Sequence, residues 1–309
     1  MAEEPVRDFT TGPETTLTEL LERFGTAGGF TAAKLATAAG IMRRMHDSDC
    51  TVFLSFPADI MATGTRGVLR QLVSNGFIDV IVTTCGTLDH DIARTLANYY
   101  HGDFEMNDTE LRERGINRLG NVLVPDDSYG IPIEKWMQSF LEDLYKKQTR
   151  WIPREIWHEL GARLAREERG NESLLAACVA QNVPVFVPGF SDGAVGSQLW
   201  QFWQSHRDFT PDTLADEHAL SDIVHDAKAT GALMIGGGIS KHHVIWWNQF
   251  RDGLDYAIQV TTAPEWDGSL SGARIREAVS WGKVRPEAQR VTVEGDATVL
   301  LPLLAGALR

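Results

Sequence analysis

Cysteine is scarce in this chain. Three occur in 309 residues, Cys50, Cys85 and Cys178, too far apart for a CxxC pair or any other metal-ligand spacing. So odd and sparse a set excludes a disulfide framework and suits a reducing compartment, with the thiols as small core groups. Positive charge is also short. Against 42 Asp and Glu stand 29 Lys and Arg, a formal net charge of −13. A negative field disfavours nucleic acid, whose backbone binding needs a basic surface, and is compatible with cationic ligands. Long apolar runs are missing as well. Val80 to Val82 is brief, and Ala297 to Ala307 is interrupted by Thr298 and Pro302, so neither spans a bilayer. Met1 to Thr16 is polar and acidic, without the apolar stretch of a secretory leader. The expectation is a cytoplasmic protein with no membrane and no nucleic-acid partner.

What is present is the composition of a soluble globular protein, 43% hydrophobic and 23% charged. The length allows one large α/β core or two modest domains. After a polar arm of about 16 residues, apolar residues recur at helical spacing from Leu17 to Phe24 and again from Ala32 to Met45. Thr51-Val-Phe-Leu-Ser-Phe and Val80-Ile-Val-Thr-Thr predict buried strands. Thr63 to Asn75 predicts a helix ending at Gly76, and another helix begins near Asp89. Residues 103 to 130, rich in Asn, Asp and Gly, predict an irregular excursion. Helices are expected over Ile133 to Lys147, Arg154 to Arg166, Leu214 to Ala229 and 241 to 252. Strands are expected at Pro184 to Pro188, Gly231 to Ile235, Tyr256 to Thr261, Val291 to Val293 and Thr298 to Leu301. The alternation predicts an α/β fold, a doubly wound, mostly parallel Rossmann-like sheet with helices on both faces. The expected organisation is an arm with helices over 1–50 and a single domain over 51–309.

Several predicted strands end in polar or glycine-rich turns: Thr83-Thr-Cys-Gly, Ser191-Asp-Gly, Gly236-Gly-Gly and Thr261-Thr-Ala. In open α/β sheets ligands bind beyond the carboxyl ends of strands, and glycine lets the backbone approach a phosphate there. The same glycines also serve plain tight turns, and without a GxGxxG match the residues alone leave both readings open. Lys241-His-His suggests metal at first sight. Adjacent side chains diverge on a helix, though, and no third ligand sits at a sensible spacing, so no metal site is expected. One of these histidines at a strand end could move protons near neutral pH. Lys283 follows Trp281 and Gly282. Apolar surroundings would activate its amine, and Trp281 would wall an aliphatic ammonium by cation–π attraction. A surface lysine after a helix is the commoner case. Glu277 and Trp281 share a face if their segment is helical.

Three segments then carry a likeness: Gly236-Gly-Gly-Ile-Ser-Lys-His-His, Asp267-Gly-Ser-Leu-Ser-Gly-Ala-Arg and Glu277-Ala-Val-Ser-Trp-Gly-Lys. Thr83-Thr-Cys-Gly-Thr-Leu-Asp-His-Asp, Gly115-Ile-Asn-Arg-Leu-Gly-Asn and Ser191-Asp-Gly agree in order. From about Thr51 to Leu304 the chain resembles the deoxyhypusine synthase family, including its bacterial and archaeal branches. The resemblance implies that 51–309 is an NAD-binding catalytic domain. It implies that NAD oxidises a polyamine, that Lys283 captures the aminobutyl piece as an imine, and that an acceptor amine receives it. His242 would be the acid–base residue, Glu277 would anchor a substrate amine, and Trp281 would flank the aliphatic chain. Thr84, Asp192, Gly237, Asp267, Ser271 and Asp296 would contact the cofactor. Homotetramers built from dimers, with active sites at subunit interfaces, are implied too.

The chain departs from the family pattern in the amine-recognition shell. Ser197 and Leu270 stand where aspartate is expected, Trp246 where asparagine is expected, and Ala58-Asp59 where Ser-Asn is expected. Losing a charged partner to a buried ammonium costs several kcal/mol unless replaced. The expectation is therefore conserved lysine-imine chemistry on a changed amine pair, with a small acceptor such as putrescine, as in homospermidine formation. The alternative is a deoxyhypusine synthase acting on a lysine of a translation factor. A simple NAD dehydrogenase or a non-catalytic member would lack any need for Lys283.

Overall fold

A computed structural model describes residues 4–308. The chain is α/β, and it divides into two compact units, 1–55 with 222–309 and 56–221. The helices before residue 50 thus belong to the same unit as the C-terminal third.

In the first unit four strands lie parallel, in the order Val284–Glu294, Leu254–Thr261, Ala229–Ile235, Cys50–Ser55. The apolar runs of Leu254–Thr261, Ala229–Ile235 and Cys50–Ser55 are buried on both sides, as parallel strands covered by helices require, while Val284–Glu294 is more exposed. Phe53, Leu54, Leu233, Ile258 and Val260 are 0% exposed, and each such side chain contributes about 1.5–3 kcal/mol by leaving water. The helix Phe30–Asp47 packs against Val284–Glu294 and Leu254–Thr261, and the helix Gly238–Asn248 against Ala229–Ile235 and Cys50–Ser55. The first helix, Leu17–Ala27, opens with a capping box. The Thr16 side chain accepts from Glu19 N, and the Glu19 carboxylate accepts from Thr16 N.

The second unit holds a parallel pair, Val80–Val82 with Val185–Phe186, and a second short pair, Arg150–Trp151 with Thr210–Pro211. Its helices include Arg66–Ser74, Cys85–Leu96, Gly130–Lys147, Pro153–Leu164, Leu174–Ala180 and Ala194–Ser205. Residues 103–130, expected to be irregular, contain instead two strands, Val122–Pro125 and Ile116–Leu119, which form a small antiparallel sheet with Tyr100–His101, and a helix over Asp108–Glu113. Most of the turn residues that suggested irregularity, among them Asp103, Gly115, Gly120 and Asn121, sit between these short elements. Arg118 holds them together through two bonds to the Asp108 carboxylate.

One expected strand is a helix. Thr298 to Leu301 lies within Ala297–Gly306. The β-branched Thr298 and Val299 imitate a strand, and Pro302 argues against a helix interior. Two local facts outweigh them. Asp296 caps the helix, accepting from Thr298 N at 2.7 Å, and Leu300, Leu301 and Leu304 bury one side toward the Phe30–Asp47 helix. Asp296→Ala, measured without ligand, is expected to lower urea stability by about 1 kcal/mol through loss of this cap. An unchanged midpoint would show that burial alone holds the helix.

Candidate active site

In the first unit, three strands end side by side, and each is followed by residues singled out above. Gly237 follows Ala229–Ile235, the Asp267–Ser271 segment follows Leu254–Thr261, and Asp296 follows Val284–Glu294. Parallel pairing puts these carboxyl ends at one edge. Gly237 must be glycine. A Cβ there would meet Ser271 N at 2.3 Å, so the turn and the Ser271 backbone are in direct contact. Beyond it the Gly238–Asn248 helix begins with no side-chain cap. Its first amides therefore remain available to an anion. The carboxylates of Asp267 and Asp296 are exposed, each accepting from a nearby backbone amide.

Lys283 lies just before the Val284–Glu294 strand and is only 8% exposed. Its Nζ sits 5.1 Å from the centre of the Trp281 ring and 5.5 Å from that of Trp246. Both distances are within cation–π reach. The His242 ring stacks on Trp246, 5.6 Å between centres. Lys283, His242, Trp246 and Trp281 are thus one cluster. Burial, and after it the charge of Lys283, holds the His242 imidazole below its ordinary value, so it is neutral at neutral pH. The condition for Glu277 and Trp281 to share a helix face is not met. The segment is a 3-10 helix, Ile275–Val279, with Trp281 beyond its end and both side chains exposed.

The lysine is placed by backbone contacts. Lys283 N donates to Ala278 O, and Leu254 N to Lys283 O. Gly253, at φ +94°, lies against this stretch, and a Cβ on it would meet Val284 N at 2.8 Å and the Lys283 carbonyl carbon at 2.9 Å. Alanine there must displace the backbone that carries the amine. Misplacement by about 1 Å costs roughly a hundredfold in rate. Gly253→Ala is therefore expected to slow Lys283 adduct formation on that scale in a time course of borohydride trapping. A rate within about threefold of the parent would remove the positioning role.

In the second unit, Thr84 occupies the N-cap position of Cys85–Leu96 without using its side chain as a cap. Asp192 is exposed in the turn before Ala194–Ser205. That turn is fixed by Asp89, 1% exposed, whose carboxylate accepts from Ala194 N at 2.9 Å, Val195 N at 2.8 Å and the Tyr129 hydroxyl at 2.9 Å. Burial pushes the Asp89 carboxyl up, against these bonds. The structure thus joins the Thr83-Thr-Cys-Gly and Ser191-Asp-Gly segments through a buried carboxylate that the sequence reading had not singled out. Ser197, exposed, turns its hydroxyl back onto Gly193 O at 2.9 Å. Leu270, half-buried in the first unit, offers its carbonyl to Lys241 Nζ at 2.8 Å. Among the described residues no cluster of His, Cys, Asp or Glu could hold a metal, and no helix is long and apolar enough to cross a membrane.

Parallel strands ending in an uncapped helix, glycine turns and exposed carboxylates define a nucleotide-binding α/β protein, here with a buried lysine among aromatic rings. Comparison with known proteins narrows this. The sequence profile described as "Deoxyhypusine synthase" matches residues 19–308. A Thermoplasma acidophilum protein named "Probable deoxyhypusine synthase" is 57% identical over 300 residues, 97% of this chain and 96% of its own. The protein of that name from Picrophilus torridus is 55% identical over 304 residues, 98% of this chain and 96% of its own. Among solved structures, "Crystal Structure of a putative deoxyhypusine synthase from Entamoeba histolytica" covers 98% of this chain and 96% of its own with a TM-score of 0.66 at 19% identity, a likeness of fold. The chain belongs to the deoxyhypusine synthase family. Membership implies an NAD-dependent aminobutyl transferase that works on polyamines.

Proposed function

We propose that this chain is a deoxyhypusine synthase, moving the aminobutyl group of spermidine to a lysine of a protein acceptor. The carrying observation is near-full-length identity above one half to relatives bearing that name. It favours the protein acceptor over the small amine suggested by the altered recognition shell. The small-acceptor reading keeps one support: Ser197 and Leu270 offer no carboxylate to a second ammonium.

NAD is the family's cofactor, and when bound it would supply the hydride acceptor for oxidising the donor amine and the hydride donor for the final reduction. The residues present fit it. The uncapped amides from Gly238 suit a pyrophosphate, while Asp267 and Asp296 have free lone pairs for ribose hydroxyls. Gly237 and Ser271 complete the proposed contacts within this unit. Lys283 attacks the imine carbon of the oxidised donor, and the bond to diaminopropane breaks as the aminobutyl group becomes an imine on Lys283. The acceptor lysine then displaces Lys283 in the same manner. Neutral His242 takes the proton that each attacking amine must lose. Trp246 and Trp281 shelter the cationic chain, and Glu277 anchors its distal ammonium.

The test is acceptor choice. Spermidine labelled in its butyl portion is incubated with the protein, NAD and either a translation-factor precursor or putrescine. Label in the protein acceptor supports the reading. Label passing only into a small polyamine would replace it with homospermidine-type synthesis.

A further inference from the structure

Lys241 is the fourth residue of the Gly238–Asn248 helix, where lysine would ordinarily reach into solvent, yet it is 1% exposed. Burying an ammonium costs several kcal/mol unless its hydrogen bonds are replaced. Here two carbonyl oxygens replace them. Nζ donates to Leu270 O at 2.8 Å and to Ala273 O at 2.6 Å. The carbonyl between them, that of Ser271, is also gripped, by Gln259 Nε2 at 2.9 Å and Thr261 Oγ1 at 3.0 Å. Gln259 and Thr261 are themselves buried. Three carbonyls within four residues are thus held by interior side chains, while Asp267 and Ser269 of the same segment stay exposed. A methionine of similar length would fill the space at lower desolvation cost, so the charge is retained for what it holds.

The structure assigns Lys241 as the positioning residue that fixes the Asp267–Ser271 segment against the glycine turn at Gly237. This rests on the proposal that Gly237, Asp267 and Ser271 contact NAD. The lever is short. Lys241 rides on the helix that begins at Gly238, and Gly237 already touches the Ser271 backbone. Through the two carbonyls the helix start and the segment become one rigid body, so the uncapped amides and the Asp267 carboxylate keep a fixed separation. Without the ammonium, the remaining bonds to Ser271 O leave the segment free to pivot about that residue. Burial holds the Lys241 amine down at about 8, against the pull of the Glu277 carboxylate.

The experiment has two arms on the full chain, comparing Lys241→Met and Lys241→Gln with the parent. Hydrogen–deuterium exchange reads the clamp directly in peptides spanning 266–276. Loss of protection confined to that segment is expected, and unchanged protection overturns the assignment. Calorimetric titration with NAD reads the consequence. Affinity is expected to fall by about tenfold or more in Lys241→Met, with partial recovery in Lys241→Gln, which keeps a donor. Affinity unchanged in a variant that merely melts lower shows a stability role alone and overturns the proposal. If the parent binds no NAD while the exchange difference persists, the cofactor assignment fails, and with it the positioning role, although the clamp itself stands. Should Lys241→Met not fold, Lys241→Gln carries both arms.

Discussion

Replacing Lys283 by alanine is expected to lower turnover by at least about a thousandfold, the scale on which covalent catalysis fails without its nucleophile. Lys283→Arg should fare no better. A guanidinium keeps the charge and much of the bulk but cannot condense with an imine. In both variants NAD titration should stay within about twofold of the parent, since the proposed cofactor contacts are other residues. The measurement is borohydride trapping in the presence of NAD and spermidine, followed by peptide mass spectrometry. The parent should carry an aminobutyl increment on the peptide containing Lys283, and the variants none. Full turnover in Lys283→Ala would discard the imine mechanism and leave plain amine dehydrogenation as the chemistry of the site.

The largest loss of stability is expected at Asp91, a position that touches no proposed ligand contact. It is 0% exposed, and its carboxylate accepts from Arg66 Nη1 at 3.2 Å, Ser173 Oγ at 2.7 Å, Leu174 N at 3.1 Å and Leu175 N at 2.9 Å. It therefore satisfies the first amides of the Leu174–Ala180 helix and neutralises a guanidinium that is itself 3% exposed. Asp91→Ala leaves that charge and two helix amides without their partner. Breaking a buried pair from one side costs about 3–5 kcal/mol. Urea unfolding followed by far-ultraviolet dichroism should show a loss of that size. Asp91→Asn should lose less, because the amide oxygen still accepts. A change in Asp91→Ala below about 1 kcal/mol would mean that Glu172, the other partner of Arg66, suffices.

Asp91 also marks what the sequence conceals. The parallel strands were legible because burial on both faces writes a continuous apolar run, as in Thr51-Val-Phe-Leu-Ser. Lys283, His242 and Trp281 were named through the family resemblance, since spacing alone favoured a plain surface lysine, and the aromatic partner Trp246 was marked only as a departure. Buried polar residues left no such trace. Asp89, Asp91 and Lys241 are ordinary surface types, and only the folded chain reveals that they hold helix amides or loop carbonyls. Their signal lay in company: each falls inside a segment that resembles the family. The strand expected at Thr298 failed for a related reason. Its β-branched pair states a local preference, while the buried face that overrules it belongs to a helix more than 250 residues earlier. At Glu277 the single four-residue spacing to Trp281 left open whether the segment is helical at all.

The pairing of Cys50–Ser55 with Ala229–Ile235 has a consequence for biosynthesis. Cys50 lies beside Ala229, so about 180 residues of chain, including all of 56–221, separate the first strand from this neighbour. At roughly 5–20 residues per second, a ribosome needs roughly 10–35 s to supply it. Through that interval Val52, Phe53 and Leu54 have left the exit tunnel without the strand beside which they end at most 3% exposed. The nascent chain is most open to aggregation in this window, and a chaperone would gain most by binding near residue 53.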